Sequence, residues 1–289
     1  MVTKVKTGIV FEGGAFRTIF SCGVMDALVE NDIMPDYMIG VSAGAAYGVS
    51  MASKQPRRNL DVLMKYRNDK RYLGLSNMID KDNKSIYGLE FSYETIPNEL
   101  NLFDYDAFKQ YKGDFYCVVT NLLTGQPEYM KYTGDDRTNT VLKATCALPM
   151  LFPPIIINDV PYMDGGLSDS IPYLKAIEDG CDRIIVVLTR QSGYTKTTSR
   201  STKAIAYSYR NQYPKLTETM LTRASRYNES LKGLDQYVKE GRIITIQPTT
   251  SKGFSRLEKD KNKILSMYND GYNQCYELLD TIKEFYEIK

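Results

Sequence analysis

The chain contains no histidine. A Ser-His-Asp triad and a Cys-His pair are therefore excluded within it, and a zinc site would need cysteines and carboxylates in a spacing that is absent. Cysteine is scarce as well. Cys22, Cys117, Cys146, Cys181 and Cys275 are scattered, odd in number and without a Cys-x-x-Cys pair; they read as reduced core thiols of a cytosolic protein. Net charge is nearly absent, formally +2, and no basic tract with interleaved aromatics occurs, so no nucleic-acid partner is expected. Long apolar runs are missing too. Ile184-Ile185-Val186-Val187-Leu188 is far too short to span a bilayer, and residues 1–6 carry no apolar signal core. These absences give the expectation of a soluble, cytoplasmic protein without a metal. No repeat or low-complexity segment occurs. The 289 residues, 43% of them hydrophobic, suit one large α/β domain or one domain with an insertion.

The stretch around which the rest is organised is Gly40-Val41-Ser42-Ala43-Gly44. It lies between a short apolar run, Tyr37-Met38-Ile39, and a small-residue helical pattern over residues 43–52. Strand, sharp turn and helix are the context of a nucleophile elbow. There the serine hydroxyl projects from a strained backbone position, and the following helix, beginning at Ala43, aims its first N–H groups at any oxyanion formed beside it. The plain alternative is a structural strand-to-helix turn. If Ser42 is a nucleophile, a chain without histidine must supply a carboxylate, lysine, tyrosine or water as base. No Ser-x-x-Lys occurs, which weakens the lysine option.

Upstream, Gly8-Ile9-Val10-Phe11 reads as a buried strand in the parallel-sheet style. It runs into Glu12-Gly13-Gly14-Ala15-Phe16-Arg17, a glycine-rich turn before a helix whose Ile19, Phe20, Gly23, Val24, Ala27 and Leu28 share one face. Such a turn exposes N–H groups to an anion. It is not Gly-x-Gly-x-x-Gly, and no Gly-x-x-x-x-Gly-Lys-Ser/Thr is present, which disfavours a nucleotide cradle. An oxyanion loop opposite the nucleophile and a tight structural turn remain. Downstream, Met163-Asp164-Gly165-Gly166 presents a carboxylate at a tight turn; on the motif alone an Asx turn is the simpler reading.

Together, Phe11-Glu12-Gly13-Gly14-Ala15-Phe16-Arg17, Gly40-Val41-Ser42-Ala43-Gly44 and Met163-Asp164-Gly165-Gly166, in that order over residues 7–190, resemble the patatin-like phospholipases, in particular bacterial patatin-like acyl hydrolases. The resemblance implies an acyl hydrolase with a Ser-Asp dyad, no catalytic histidine, no metal and no cofactor. It assigns Ser42 as nucleophile and Asp164 as base. The N–H groups of Gly13, Gly14, Ala15 and Ala43 become oxyanion donors, and Arg17 braces the loop or meets a phosphate. Phospholipids, lysophospholipids or simpler acyl esters are the implied substrates. A non-lipid carboxylesterase and a catalytically silent lipid- or protein-binding module are the alternatives. Three positions depart from the family pattern: Glu12 where aspartate is usual, Ala15 where glycine is usual, and Thr18 where glycine follows the arginine. An alanine forced to positive φ would cost about 1 kcal/mol or more.

Strands alternating with helices give the expected fold, an α/β three-layer sandwich with a mainly parallel central sheet. Residues 1–200 are expected to form the catalytic domain. Within them, residues 54–111, crowded with charged and aromatic side chains, are either a lid over a substrate pocket or helical cover on the sheet edge. Residues 114–121 and 128–132 read as a strand and its hairpin partner, 138–147 as a helix, and 148–154 as an irregular apolar wall for an acyl pocket. Asp169 is expected to cap a helix over 171–178, followed by a strand over 183–189 and a mobile Ser/Thr-rich loop over 191–200. Residues 201–289 read as a helical extension packed on the same domain. Its amphipathic helices over 203–239 are either a solvated face or a peripheral contact with an anionic bilayer. One strand over 242–247 and a helical pair over 257–286, split near Gly271, complete it.

Overall fold

The computed structural model describes residues 4–288; the first three residues of the 1–6 stretch, and residue 289, lie outside the described residues. The first half runs β1 (Thr7–Phe11), α1 (Ile19–Glu30), β2 (Tyr37–Val41), α2 (Ala43–Ala52), α3 (Arg58–Tyr66) and α4 (Ser76–Ile79). A wide π-type helix (Phe91–Leu100) and α5 (Tyr105–Gln110) lead into β3 (Asp114–Asn121) and β4 (Pro127–Lys131). Then come α6 (Thr140–Cys146), β5 (Ile155–Ile157), β6 (Val160–Asp164), α7 (Tyr173–Glu178) and β7 (Arg183–Val187). The chain ends with α8 (Arg200–Ser208), α9 (Pro214–Lys239), β8 (Ile243–Ile246), α10 (Lys261–Glu277) and α11 (Leu279–Phe285).

All eight strands join one sheet in the order β5-β6-β3-β2-β1-β7-β8, with β4 also on β3. The five strands from β3 to β8 are mutually parallel, while β4 and β6 run antiparallel to β3 and β5 antiparallel to β6. The expected α/β sandwich with a mainly parallel sheet is therefore the observed one. Both faces of the parallel part are covered, which is why its strands are apolar on both sides. Ile9, Phe11, Met38, Phe115, Cys117 and Val187 pack on one side, with the buried residues of α1 and α10. Val10, Ile39, Val41, Val118 and Val186 pack on the other, against Tyr173 of α7 and Tyr227 of α9. Among the described residues no helix is long and apolar enough to cross a membrane.

The pairing around β3 positions the site. Val41 pairs with Val118, and Asp164 pairs with the next residue, Val119. Since β4 pairs with Tyr116 to Thr120 and overlaps both partners, β2 and β6 must share the opposite flank of β3. The C-terminal end of β2 thus meets the C-terminal end of β6 head to head.

Two sequence expectations are corrected. The helical pair does not split at Gly271: α10 runs through it to Glu277, and the break falls at Leu278. Gly271 sits where α10 crosses α1, and a Cβ there would overlap the Phe20 carbonyl oxygen, so the glycine serves a close helix approach rather than a stop. Tyr268, on the same helix, donates to buried Asp26 of α1 at 2.6 Å. Asp169 does not cap α7 either. That helix starts at Tyr173 behind Pro172, and Asp169 instead accepts from the Ile171 N–H at 3.2 Å and the Tyr129 hydroxyl at 3.0 Å.

Forcing a methyl into a packed crossing typically costs about 1–3 kcal/mol. Gly271→Ala is accordingly expected to lower the denaturant midpoint with an unchanged slope; a wild-type midpoint would contradict the close approach of α1 and α10.

Candidate active site

Ser42 links β2 to α2 with φ 55° and ψ −129°, a region that non-glycine residues rarely occupy. Local sequence explains how it is tolerated. Gly40 lies against Ala45, and Gly44 against the Phe11 carbonyl, so closely that a Cβ on either would overlap backbone. The Ser42 N–H donates to the Thr145 hydroxyl at 2.9 Å, and that hydroxyl donates to the Val118 carbonyl. Thr145, fully buried on α6, therefore ties the turn to the central strand. Nothing in its local sequence marks it for this.

Asp164 ends β6 and is 2% exposed. Its backbone is pinned on both sides: the N–H donates to Ala147 at 2.9 Å, and the carbonyl accepts from Thr120 at 2.8 Å. Its Oδ1 accepts the Gly166 N–H at 2.7 Å. Burial pushes the carboxyl up from the ordinary aspartate range; the nearby Ser42 hydroxyl, the charge of Arg223 and the Gly166 N–H partly offset this. The structure thus brings Ser42 and Asp164 together. Asp169, the rival carboxylate, is engaged with Tyr129 and Ile171.

The loop Gly13-Gly14-Ala15 faces them. Among the described residues its three N–H groups donate to no protein acceptor. Ala43 occupies the first position of α2, where a helix leaves its N–H without an intrahelical partner. The loop and Ser42 line one pocket.

Two cavities meet at Ser42. The first, about 200 Å³, is apolar and aromatic. Residues 54–111 supply much of its wall, including Val62, Tyr72, Tyr93 and Ile96; Leu148 and Phe152 come from the irregular stretch 148–154. The π-type helix places buried Ile96 and Pro97 in this wall, and a wide helix accommodates a proline that an α-helix would not. Lys143 anchors it through an ion pair to Glu94 at 2.6 Å. Cys146 lines the same cavity, its thiol pushed up to about 12 chiefly by burial. The second cavity, about 50 Å³, lies on the other side of Ser42 and contains Asp164 together with Arg17, Arg190, Lys196, Arg223 and Arg256. Apart from Arg17, no motif pointed to these cations: they come from separate segments that only the fold unites. Among the described residues no cluster of three or more histidine, cysteine or carboxylate side chains offers a metal site; all five cysteines are free thiols.

The family model for patatin-like phospholipases matches residues 9–177, which hold the loop, the elbow and Asp164. The chain belongs to the patatin-like phospholipase family. A second model, a domain of unknown function (DUF6363), matches residues 213–287. The uncharacterized protein YjjU of Escherichia coli K12 is 27% identical over 196 residues, covering 64% of this chain and 52% of that one. Lysophospholipase nte1 of Aspergillus terreus is 29% identical over 193 residues, 63% of this chain and 12% of that one. The chain thus spans about half the length of the first relative and a small part of the second. Among solved structures, VipD from Legionella pneumophila aligns with a TM-score of 0.47 at 15% identity, over 96% of this chain and 67% of that one.

Two of the departures from the patatin-like pattern can be followed in the local structure. Glu12 accepts from the Thr189 N–H at 2.7 Å, the Thr189 hydroxyl at 3.0 Å and the Tyr227 hydroxyl at 2.9 Å; its extra methylene reaches partners on both the β7 end and α9. Ala15 does take a positive φ, 50°, at a cost of about 1 kcal/mol. The Phe16 N–H donates to the Arg256 carbonyl at 3.0 Å and fixes the next residue.

A carboxyl whose folded pKa is raised favours the fold when protonated, and that contribution is lost as pH rises through the folded value. Asp164→Asn keeps the acceptor for Gly166 and removes the buried charge. It is expected to melt above wild type at pH 7–8, with the difference closing as pH falls toward the ordinary aspartate range. A lower melting temperature at pH 7–8 would contradict the burial argument.

Proposed function

We propose that this chain is a serine acyl hydrolase acting on fatty-acyl esters of phospholipids or lysophospholipids through Ser42 and Asp164. The observation that carries the reading is the strained Ser42, beside a buried carboxylate, at the mouth of an apolar cavity. Ser42 Oγ attacks the ester carbonyl carbon while Asp164 takes its proton. The carbonyl oxygen becomes an oxyanion held by N–H groups of Gly13, Gly14, Ala15 and Ala43, each such donor being worth about 10²–10³ in rate. As the tetrahedral intermediate collapses, the C–O bond to the alcohol breaks and Asp164 returns its proton to that oxygen. The acyl group is left on Ser42. Water then attacks with Asp164 again as base, and fatty acid and free serine are restored.

Membership of the family and the named activity of nte1 support acyl-ester cleavage. The apolar cavity favours an acyl chain over a short ester, because burying methylenes is favourable by about 0.8 kcal/mol each. The test is turnover of a lysophospholipid and of short acyl esters by wild type, Ser42→Ala and Asp164→Asn. Asp164→Asn should lose about 10²–10⁴ in kcat, and Ser42→Ala all measurable turnover. The wild-type kcat/KM should fall as pH drops through the raised Asp164 pKa, because only the ionised carboxylate accepts the proton. Near wild-type rates in Asp164→Asn with an unchanged acid limb would remove Asp164 as base, and faster cleavage of short esters would point to a carboxylesterase.

A further inference from the structure

We propose that the cationic pocket beside Ser42 is a binding site for a phosphate-type oxyanion, completed by the C-terminal region, and that it selects acyl esters bearing a phosphomonoester group. The headgroup half of this statement rests on the reading of Ser42 as nucleophile; the anion site itself does not.

Five cationic side chains and two carboxylates line about 50 Å³, a quarter of the roughly 200 Å³ of the apolar cavity, which suits a small anion rather than an acyl chain. The two carboxylates offset only part of the charge of the five cations. Glu12 is taken up by Thr189 and Tyr227. Among the described residues none of Arg17, Arg190, Lys196, Arg223 and Arg256 makes an ion pair within 4.0 Å. Arg17 is 6% exposed, and its Nε is buried with no hydrogen-bond partner. An unpartnered buried guanidinium is costly unless something absent from the protein itself meets it. The cations also repel one another. Burial, then Arg190 and Arg256, push Arg17 down to about 10; burial, then Arg223, Arg256 and Arg190, push Lys196 down to about 7.

An anion with several oxygens resolves both problems, and guanidinium forks match phosphate oxygens two at a time. A phosphomonoester brings up to two charges into this excess. A choline-bearing headgroup would place another cation among five, which is repulsive. Ala15, Ser42, Leu148 and Arg256 border both cavities. A substrate with its acyl chain in the apolar cavity and its phosphate among the cations therefore has its ester at Ser42. Arg223 and Arg256 both lie in the segment 213–287 matched by the domain of unknown function, which gives that segment a part in substrate selection.

The test has a binding arm and a turnover arm. Inorganic phosphate and glycerol 3-phosphate are titrated calorimetrically into Ser42→Ala, alone and combined with Arg190→Gln/Lys196→Gln or with Arg256→Gln. Arg256 is exposed, so its loss leaves the core intact, and melting curves check the other pair. Hydrolysis of lysophosphatidate, lysophosphatidylcholine and monoacylglycerol of one chain length is measured with Ser42 restored. We expect both anions to bind and to weaken about tenfold or more in the variants, as the loss of a charged hydrogen bond requires. The ratio of kcat/KM for lysophosphatidate over monoacylglycerol should fall by a similar factor. Anion binding that depends on these residues, without any lysophosphatidate preference, would assign the site to free phosphate and overturn the headgroup half. No anion binding, or binding indifferent to the substitutions, would overturn the site. A wild type that cleaves no ester would sink the acyl-hydrolase reading while leaving the titration able to judge the anion site.

Discussion

The backbone of Ser42 is the constraint from which the site is built. Holding a serine at φ 55° costs on the order of 1–3 kcal/mol, and the surroundings over-determine it. β2 delivers the chain from the sheet, α2 carries it away, and Thr145 bonds both the Ser42 N–H and the Val118 carbonyl. The head-to-head arrival of β6 on the flank that β2 vacates then sets Asp164 beside the same turn. A serine in an ordinary helical or extended conformation there would not project toward that carboxylate.

Charge is the second constraint. A buried aspartate resists ionisation, yet a general base must be ionised to act. Arg223 and Arg256 lower the Asp164 pKa against the pull of burial. The same positive surroundings leave an excess of cationic side chains next to Ser42. On the proposed reading, base activation and anion recognition are two consequences of one electrostatic arrangement, which draws on Arg190, Lys196, Arg223 and Arg256. In a chain without histidine, that reading gives this arrangement the tuning that an imidazole would otherwise provide.

How much of this was legible in the sequence follows from how local each signal is. Gly13, Gly14 and Ser42 stood out as candidates because glycine spacing and strand-to-helix order are local features, whereas Asp164 stood out only once the resemblance joined its turn to the elbow. The parallel strands were readable as apolar runs. The hairpin β5–β6 was missed, although Asn158 and Asp159, both at positive φ, join Ile155–Ile157 to Val160–Asp164 in the manner of a two-residue turn. Its weak alternation and the dominant Asp-Gly-Gly motif hid it. Gly271 misled because a glycine inside a helical pattern reads as a break, whereas here it admits a neighbouring helix. The π-type helix around Pro97 was hidden for a similar reason: a proline reads as an interruption, and only the wide helix absorbs it. Thr145, Arg190, Lys196, Arg223 and Arg256 carried no local signal, since long-range packing alone brings them to the site.

The central claim is that Ser42 is the residue to which the acyl group is transferred. Its most direct test is reaction with a long-chain alkyl fluorophosphonate, followed by peptide mass spectrometry. Only an activated serine reacts quickly with such a probe. The account predicts one adduct, on Ser42, formed much more slowly in Asp164→Asn. An adduct on Ser168 or Ser170 instead, or labelling of Ser42→Ala at the wild-type rate, would contradict it.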